Sequence, residues 1–192
     1  MDIKKALSYI AFGFLFTLVN FNLTLNGHSV NIMPEFVGWI LFFLAFDKLG
    51  DYISDKPYMK WISLILVIAT AAIYILEIMG VEFDISIFKT ICGLVSAGYL
   101  FILFGCLESV ARDYGSNKES TLGILKIINL VLYVSATVLA LLANNPNLEG
   151  LVFLVIILLV MALVSAIITA VVLFKLRKEI NNTVIDDIEQ EG

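Results

Sequence analysis

A chain of 192 residues that is 60% hydrophobic, with a mean hydropathy of +0.99, carries too little polar surface to fold as a water-soluble globule. Charged residues make up 15% of it, and the net charge of −5 with a pI near 4.8 averages over two sides of a membrane, so the total points to no nucleic-acid partner. A soluble catalytic domain is excluded as well, because apolar stretches occupy most of the length.

In chain order those stretches run over about 6–25, 34–53, 57–79, 85–109, 121–143 and 150–174. A bilayer core of about 30 Å needs about 20 helical residues per crossing. The pattern therefore predicts an all-α membrane protein: a six-transmembrane helical bundle over residues 1–178, then an acidic cytoplasmic tail, 179–192, holding Asp186, Asp187, Glu189 and Glu191. Threaded this way, eleven of the twelve Lys and Arg residues fall on one side: Lys4, Lys5, Lys48, Lys56, Lys60, Arg112, Lys118, Lys126, Lys175, Arg177 and Lys178, leaving Lys89 opposite. By the positive-inside bias both termini are expected in the cytoplasm. Lys175, Arg177 and Lys178 read as a topology signal with some attraction to anionic headgroups rather than as a specific lipid site.

Lys4 and Lys5 before an apolar run resemble a signal peptide, but no small-x-small cleavage site follows, and a retained first span is expected. Beyond it the periodicity changes from helical to strand-like. Asn20, Asn22, Thr24 and Asn26 alternate with Phe21, Leu23 and Leu25, and Asn26-Gly27 leads into His28, Ser29, Val30, Asn31 and Ile32. Alternation about Asn-Gly predicts a small extracytoplasmic β-hairpin between spans 1 and 2, since both turn residues tolerate the positive φ of a type I′ turn. The first helix would then stop near Val19; a continued helix frayed at Gly27 is the alternative.

The run Asn31-Ile32-Met33-Pro34-Glu35-Phe36-Val37-Gly38-Trp39-Ile40-Leu41, followed by Asp47-Lys48-Leu49, resembles a recurring pattern in an uncharacterised family of small multi-span membrane proteins of low-GC Gram-positive bacteria. Glu35 stands where the pattern has Asp, and Trp39 where it has Tyr. The resemblance covers the first hairpin and second span; it implies a bacterial plasma membrane and no activity.

Only eleven residues separate Glu35 from Asp47, roughly 16 Å of helix and about half the hydrocarbon thickness. A carboxylate inside the membrane is a functional candidate by default. The competing reading is structural: Pro34 suits a helix start, Glu35 complements the positive end of the dipole, and Asp47 pairs with an interfacial cation. His28, Asn31 and Glu35, with Asn20, Asn22 and Asn26 nearby, form the candidate ligand or partner surface. One His and one carboxylate are too few for a metal site, and no HExxH, GxSxG or Walker motif is present, so no catalytic residue, metal or cofactor is assigned.

Further along, Glu77 and Lys89 flank the outer turn at equal depth, and Glu108 and Lys126 do the same at an inner turn; both are expected ion pairs. Cys92 and Cys106, 14 residues or roughly 21 Å apart on one helix, cannot bridge each other and read as apolar filler. Gly93 and Ala97, followed by Gly98 and Gly105, predict close helix approach along span four. Lys126, Asn129, Tyr133 and Thr137 share one face of span five and, with Ser96 and Tyr99, give a candidate polar pathway or a set of interhelical hydrogen bonds. Span six, with Ser165 and Thr169 its only hydroxylated residues, should face lipid over much of its surface.

Three function classes remain. The first is a non-enzymatic bundle that binds a lipid, a small solute or a partner through the hairpin and the polar faces of spans two, four and five. The second is a small transporter or channel, and the third a membrane enzyme using His28 and Glu35 on a lipid-linked substrate. The expected partners are the bilayer and either a second copy of the chain or another membrane protein.

Overall fold

The computed structural model describes residues 3–18, 22–25, 28–31, 34–53, 55–79, 86–142 and 151–191. Among them are six α-helices, α1 (Ile3–Leu18), α2 (Glu35–Leu49), α3 (Tyr58–Ile78), α4 (Ser86–Asp113), α5 (Glu119–Leu142) and α6 (Leu151–Glu191), and two strands, β1 (Asn22–Leu25) and β2 (His28–Asn31). In a bilayer every backbone polar group must be satisfied within the segment, which is why these apolar runs become helices. Pro34, with φ −65° and ψ 131°, sets the extended entry to α2, and Gly50, at φ 55°, closes it into a single 3-10 turn over Gly50–Ile53. Gly115, at φ 60°, ends α4 in the same left-handed way. There the Ser116 amide donates to the Ala111 carbonyl at 2.8 Å, the six-to-one bond typical of a glycine-terminated helix.

Four helices are long and apolar enough to cross a membrane, over 58–78, 87–113, 119–139 and 156–180. The other two are shorter than expected. At 16 and 15 residues, α1 and α2 reach roughly 24 and 22 Å. Helix α1 is described to Leu18 rather than to residue 25, and Asn22–Leu25 form β1. The two strands pair antiparallel, Asn22 opposite Asn31 and Leu25 opposite His28; the Asn26–Gly27 turn lies outside the described residues. Helix α6 passes the expected end at residue 174 and continues to Glu191. No Gly or Pro interrupts it, and Leu176 and Ile180 are still buried one turn apart, so the helical period outlasts the apolar run.

The helices form a ring in chain order, each packing on the next, with α6 returning to α1. Paired contacts show that neighbours run antiparallel. On α1 and α2, Phe42 meets Gly13 while Thr17 meets Gly38; on α5 and α6, Lys118 reaches Glu179 while Asn129 reaches Ser165.

The centre of the ring is filled with aromatic side chains. Phe14 stands 5.4 Å from Phe42 and 5.1 Å from Phe104, and Trp39 lies 5.3 Å from both Phe42 and Tyr99, measured between ring centroids. Trp39, Phe14 and Phe104 have no exposed surface. Such tilted and edge-on pairs add about 0.5–1.5 kcal/mol each beyond the area they bury. Outward, α3 to α6 present large apolar side chains such as Trp61, Ile68, Ile87 and Phe153, a surface that is stable against acyl chains and not against water.

The α1–α2 crossing is set by glycines. A Cβ on Gly38 would fall 2.5 Å from Thr17 Cγ2 and 2.7 Å from the Gly13 carbonyl oxygen, so two backbones touch here. Gly93 instead receives a side chain: a Cβ there would fall 2.7 Å from Thr137 Oγ1 of α5. The expectation for Gly98 and Gly105 is corrected: nothing lies within 4 Å of a Cβ at either position, so no backbone approaches them.

Candidate functional site

Glu35 opens α2, where an acidic side chain is favoured by the unsatisfied amides of the first turn. Its carboxylate is partly buried and accepts a hydrogen bond from the Trp39 indole, Nε1 to Oε1, at 3.0 Å. The pair spans one helical turn, i to i+4, the spacing at which side chains on a helix meet. Burying a carboxylate is costly unless a donor compensates it, and the indole N–H supplies one from inside the core. Trp39 was legible only as a match to a family pattern; the Glu-x-x-x-Trp spacing was the available signal. Glu77 on α3, Cys92 on α4 and Tyr133 on α5 are titratable groups whose electrostatics couple to the Glu35 carboxylate. Phe36 packs beside it on Tyr74, with centroids 5.5 Å apart.

The strand pair precedes this helix start, and β2 packs against α3. Asn22, His28 and Asn31 are fixed in backbone register on it. Asn20 and Asn26 lie outside the described residues. Thus the structure joins Glu35 to Trp39 and sets the strands ahead of the chain entering α2.

On α5 three of the four stripe residues, Lys126, Asn129 and Thr137, are hydrogen-bonded. Lys126 donates to Glu108 at 2.6 Å with both side chains about four-fifths buried, and its ammonium also stands 5.3 Å from the Phe101 ring. The Asn129 amide donates to the Leu125 carbonyl at 3.0 Å and meets Thr169 Oγ1 at 3.4 Å, while its Oδ1 accepts from Ser165 Oγ at 2.9 Å. Ser165 and Thr169, four residues apart, therefore turn to α5, Ala166, Ala170, Leu173, Leu176 and Ile180 are buried beside them, and residues such as Phe153, Leu159, Val160 and Ile167 face outward. Thr137 donates to the Tyr133 carbonyl at 2.8 Å. Tyr99 belongs to the central aromatic cluster. Two hydroxyls stand apart: Ser96 Oγ and Tyr133 Oη are buried with no hydrogen-bond partner among the described residues.

At the other ion pair Lys89 donates to Glu77 at 2.6 Å, about half-exposed. Asp47 meets Lys60 of α3, also at 2.6 Å, at the opposite end of the bundle. In the turn at that end, Lys56 beside Asp55 holds the Asp55 carboxyl below the usual carboxylate range, and Arg112 at the end of α4 pairs with Glu119 at 2.7 Å. Among the described residues no group of three or more His, Cys, Asp or Glu side chains is placed to hold a metal. Comparison with protein-family models, curated proteins and solved structures finds no match.

Proposed function

We propose that the chain is a six-span protein of a bacterial plasma membrane, with both termini cytoplasmic, that acts as a non-enzymatic binding bundle. It takes a lipid, a small solute or a partner protein at its outer end, around Glu35, His28, Asn31 and Asn22. One observation carries this reading: Glu35 is held at the rim of the core by the Trp39 indole, with carboxylate valence left for a guest, while the polar groups deeper on α5 are taken by Glu108, Ser165 and Thr169. The antiparallel ring supports six spans, since α1 and α2 run alongside full-length neighbours. The charge partition supports the orientation. The resemblance of 31–41 to small membrane proteins of Gram-positive bacteria supports the compartment and brings no activity with it.

The test is replacement of Glu35 by Gln, which keeps shape and removes charge. Native mass spectrometry of the full chain extracted in mild detergent should show a retained adduct or partner on wild type that Glu35→Gln sheds, with the unfolding temperature unchanged. If Glu35→Gln and His28→Ala retain every species that wild type retains, the site is wrong.

A small transporter is the second reading, favoured by the Tyr133 and Ser96 hydroxyls, unpartnered among the described residues. Its discriminator is solute flux into proteoliposomes that Tyr133→Phe abolishes.

A further inference from the structure

At the end of the bundle opposite Glu35, α1 and α6 border an open depression of about 320 Å³ lined by Lys4, Phe174, Arg177 and Lys178. Its volume lies within the range of small-molecule sites, about 300–1,000 Å³. Phe174, Arg177 and Lys178 stand at i, i+3 and i+4 and so share one face of α6. The Phe174 ring meets the edge of Phe12 on α1, with centroids 5.7 Å apart. Phe12 lies eight residues from Lys4, and it is about half-exposed on the outer surface. The lining therefore changes character along the bundle axis: aromatic and outward-facing on the membrane side, cationic on the other. Glu179, next on α6, reaches the turn before α5, where Ser116 and Lys118 meet it.

We propose that this depression is a binding site for one anionic phospholipid of the leaflet at that end. Its phosphate would sit among Lys4, Arg177 and Lys178, and an acyl chain would lie along Phe174 and Phe12. Charge complementarity selects the headgroup, since three cations from two helices converge on a space of headgroup size. The planar Arg177 fork suits phosphate oxygens two at a time. Continuity with the outward aromatic edge selects a lipid over a free phosphate, because a soluble anion would leave that apolar wall unused. Bound there, the lipid would bridge the first and last helices of the ring, the closure with no connecting loop.

The experiment uses the purified full chain in a neutral detergent, titrated with dioleoyl phosphatidylglycerol or dioleoyl phosphatidylcholine and read by native mass spectrometry. Wild type is expected to retain one phosphatidylglycerol at least tenfold more tightly than phosphatidylcholine. Lys4→Gln, Arg177→Gln and Lys178→Gln should each weaken it about fivefold, the factor equivalent to ~1 kcal/mol per membrane-surface cation. Lys48→Gln, with the same charge change outside the depression, should leave it unaltered. Phe174→Ala should weaken phosphatidylglycerol while preserving all three cations, which separates a lipid from a bare anion. Should a glutamine variant fail to fold, Arg177→Lys keeps the charge without the fork and is expected to lose only part of the affinity. Equal retention of the two lipids, equal loss in Lys48→Gln, or displacement by inorganic phosphate at matched ionic strength would each overturn the proposal.

Discussion

Replacing Gly38 by Ala tests the α1–α2 crossing that holds Glu35 in place. The added methyl would fall 2.5 Å from Thr17 Cγ2 and 2.7 Å from the Gly13 carbonyl oxygen. Thr17 cannot simply swing away, since its hydroxyl is anchored to the Gly13 carbonyl at 3.0 Å and its own backbone amide lies 3.1 Å from the same point. Ordinary contact requires the two helices to separate by roughly 0.6–1 Å, and such overpacking costs about 1–3 kcal/mol. Against this stands the helix propensity of Ala over Gly, worth about 0.8–1 kcal/mol. A net loss of about 0–2 kcal/mol is expected in the thermal or denaturant unfolding of the full chain in detergent, and so about 1–3 kcal/mol relative to a glycine-to-alanine change without the clash. Gly98→Ala provides the internal control: with nothing within 4 Å it gains the same propensity with no clash, and it should be neutral or stabilising. Equal stability of Gly38→Ala and Gly98→Ala would refute the close approach of the two backbones.

Lys126→Ala and Glu108→Ala should each destabilise, and the double variant should fall short of their sum by about 0.5–3 kcal/mol in a double-mutant cycle; strict additivity would mean the side chains do not touch. The Glu77–Lys89 cycle, more exposed, should show coupling of no more than about 1 kcal/mol. Asn129→Ala should cost about 0.6–1.7 kcal/mol per lost interhelical bond, and little of that should remain in a Ser165→Ala background if Ser165 is its partner. Cysteines placed at Glu82 and Asn145, after Cys92 and Cys106 are replaced by Ala, should react with an impermeant thiol reagent in intact cells, whereas one at Ser116 should react only after permeabilisation. Ready labelling of Ser116 from outside would overturn the orientation.

What the sequence disclosed is what obeys a local period. Rise per residue is constant along a helix, so depth counting alone could match Glu77 with Lys89 and Glu108 with Lys126 across their turns. Period-2 alternation between Asn20 and Ile32 signalled extended backbone because strands and helices repeat differently. Relations between helices far apart in the chain were not legible. Asn129 carried no sign that its partners were Ser165 and Thr169, 36 and 40 residues on, because that depends on α6 turning a narrow face inward. Nothing local tied Lys4 to Arg177 and Lys178, which become neighbours only when the ring closes. Helix ends also escaped: apolar content predicts where a helix leaves the membrane, while α6 continues as long as no residue breaks it.

Closure of the ring bears on where any activity resides. A pathway along the bundle axis would have to pass Trp39, Phe42, Phe14, Phe104 and Tyr99, whose rings stand 5.1–6.0 Å apart in one contiguous cluster. Opening such a cluster means parting side chains that interlock around three helices at once, because Phe14 belongs to α1, Trp39 and Phe42 to α2, and Tyr99 and Phe104 to α4. Close-packed interiors resist that kind of gradual deformation. A guest is more cheaply accommodated at the two ends, where aromatic packing gives way to charge: the carboxylate of Glu35 beside the strands, and the three cations between α1 and α6. The two ends differ in sign and share no side chain. The structure thus sets the Glu35 carboxylate toward one end of the bundle and Lys4, Arg177 and Lys178 toward the other, and α1 carries Lys4 at one end and meets Gly38, one turn below Glu35, near the other.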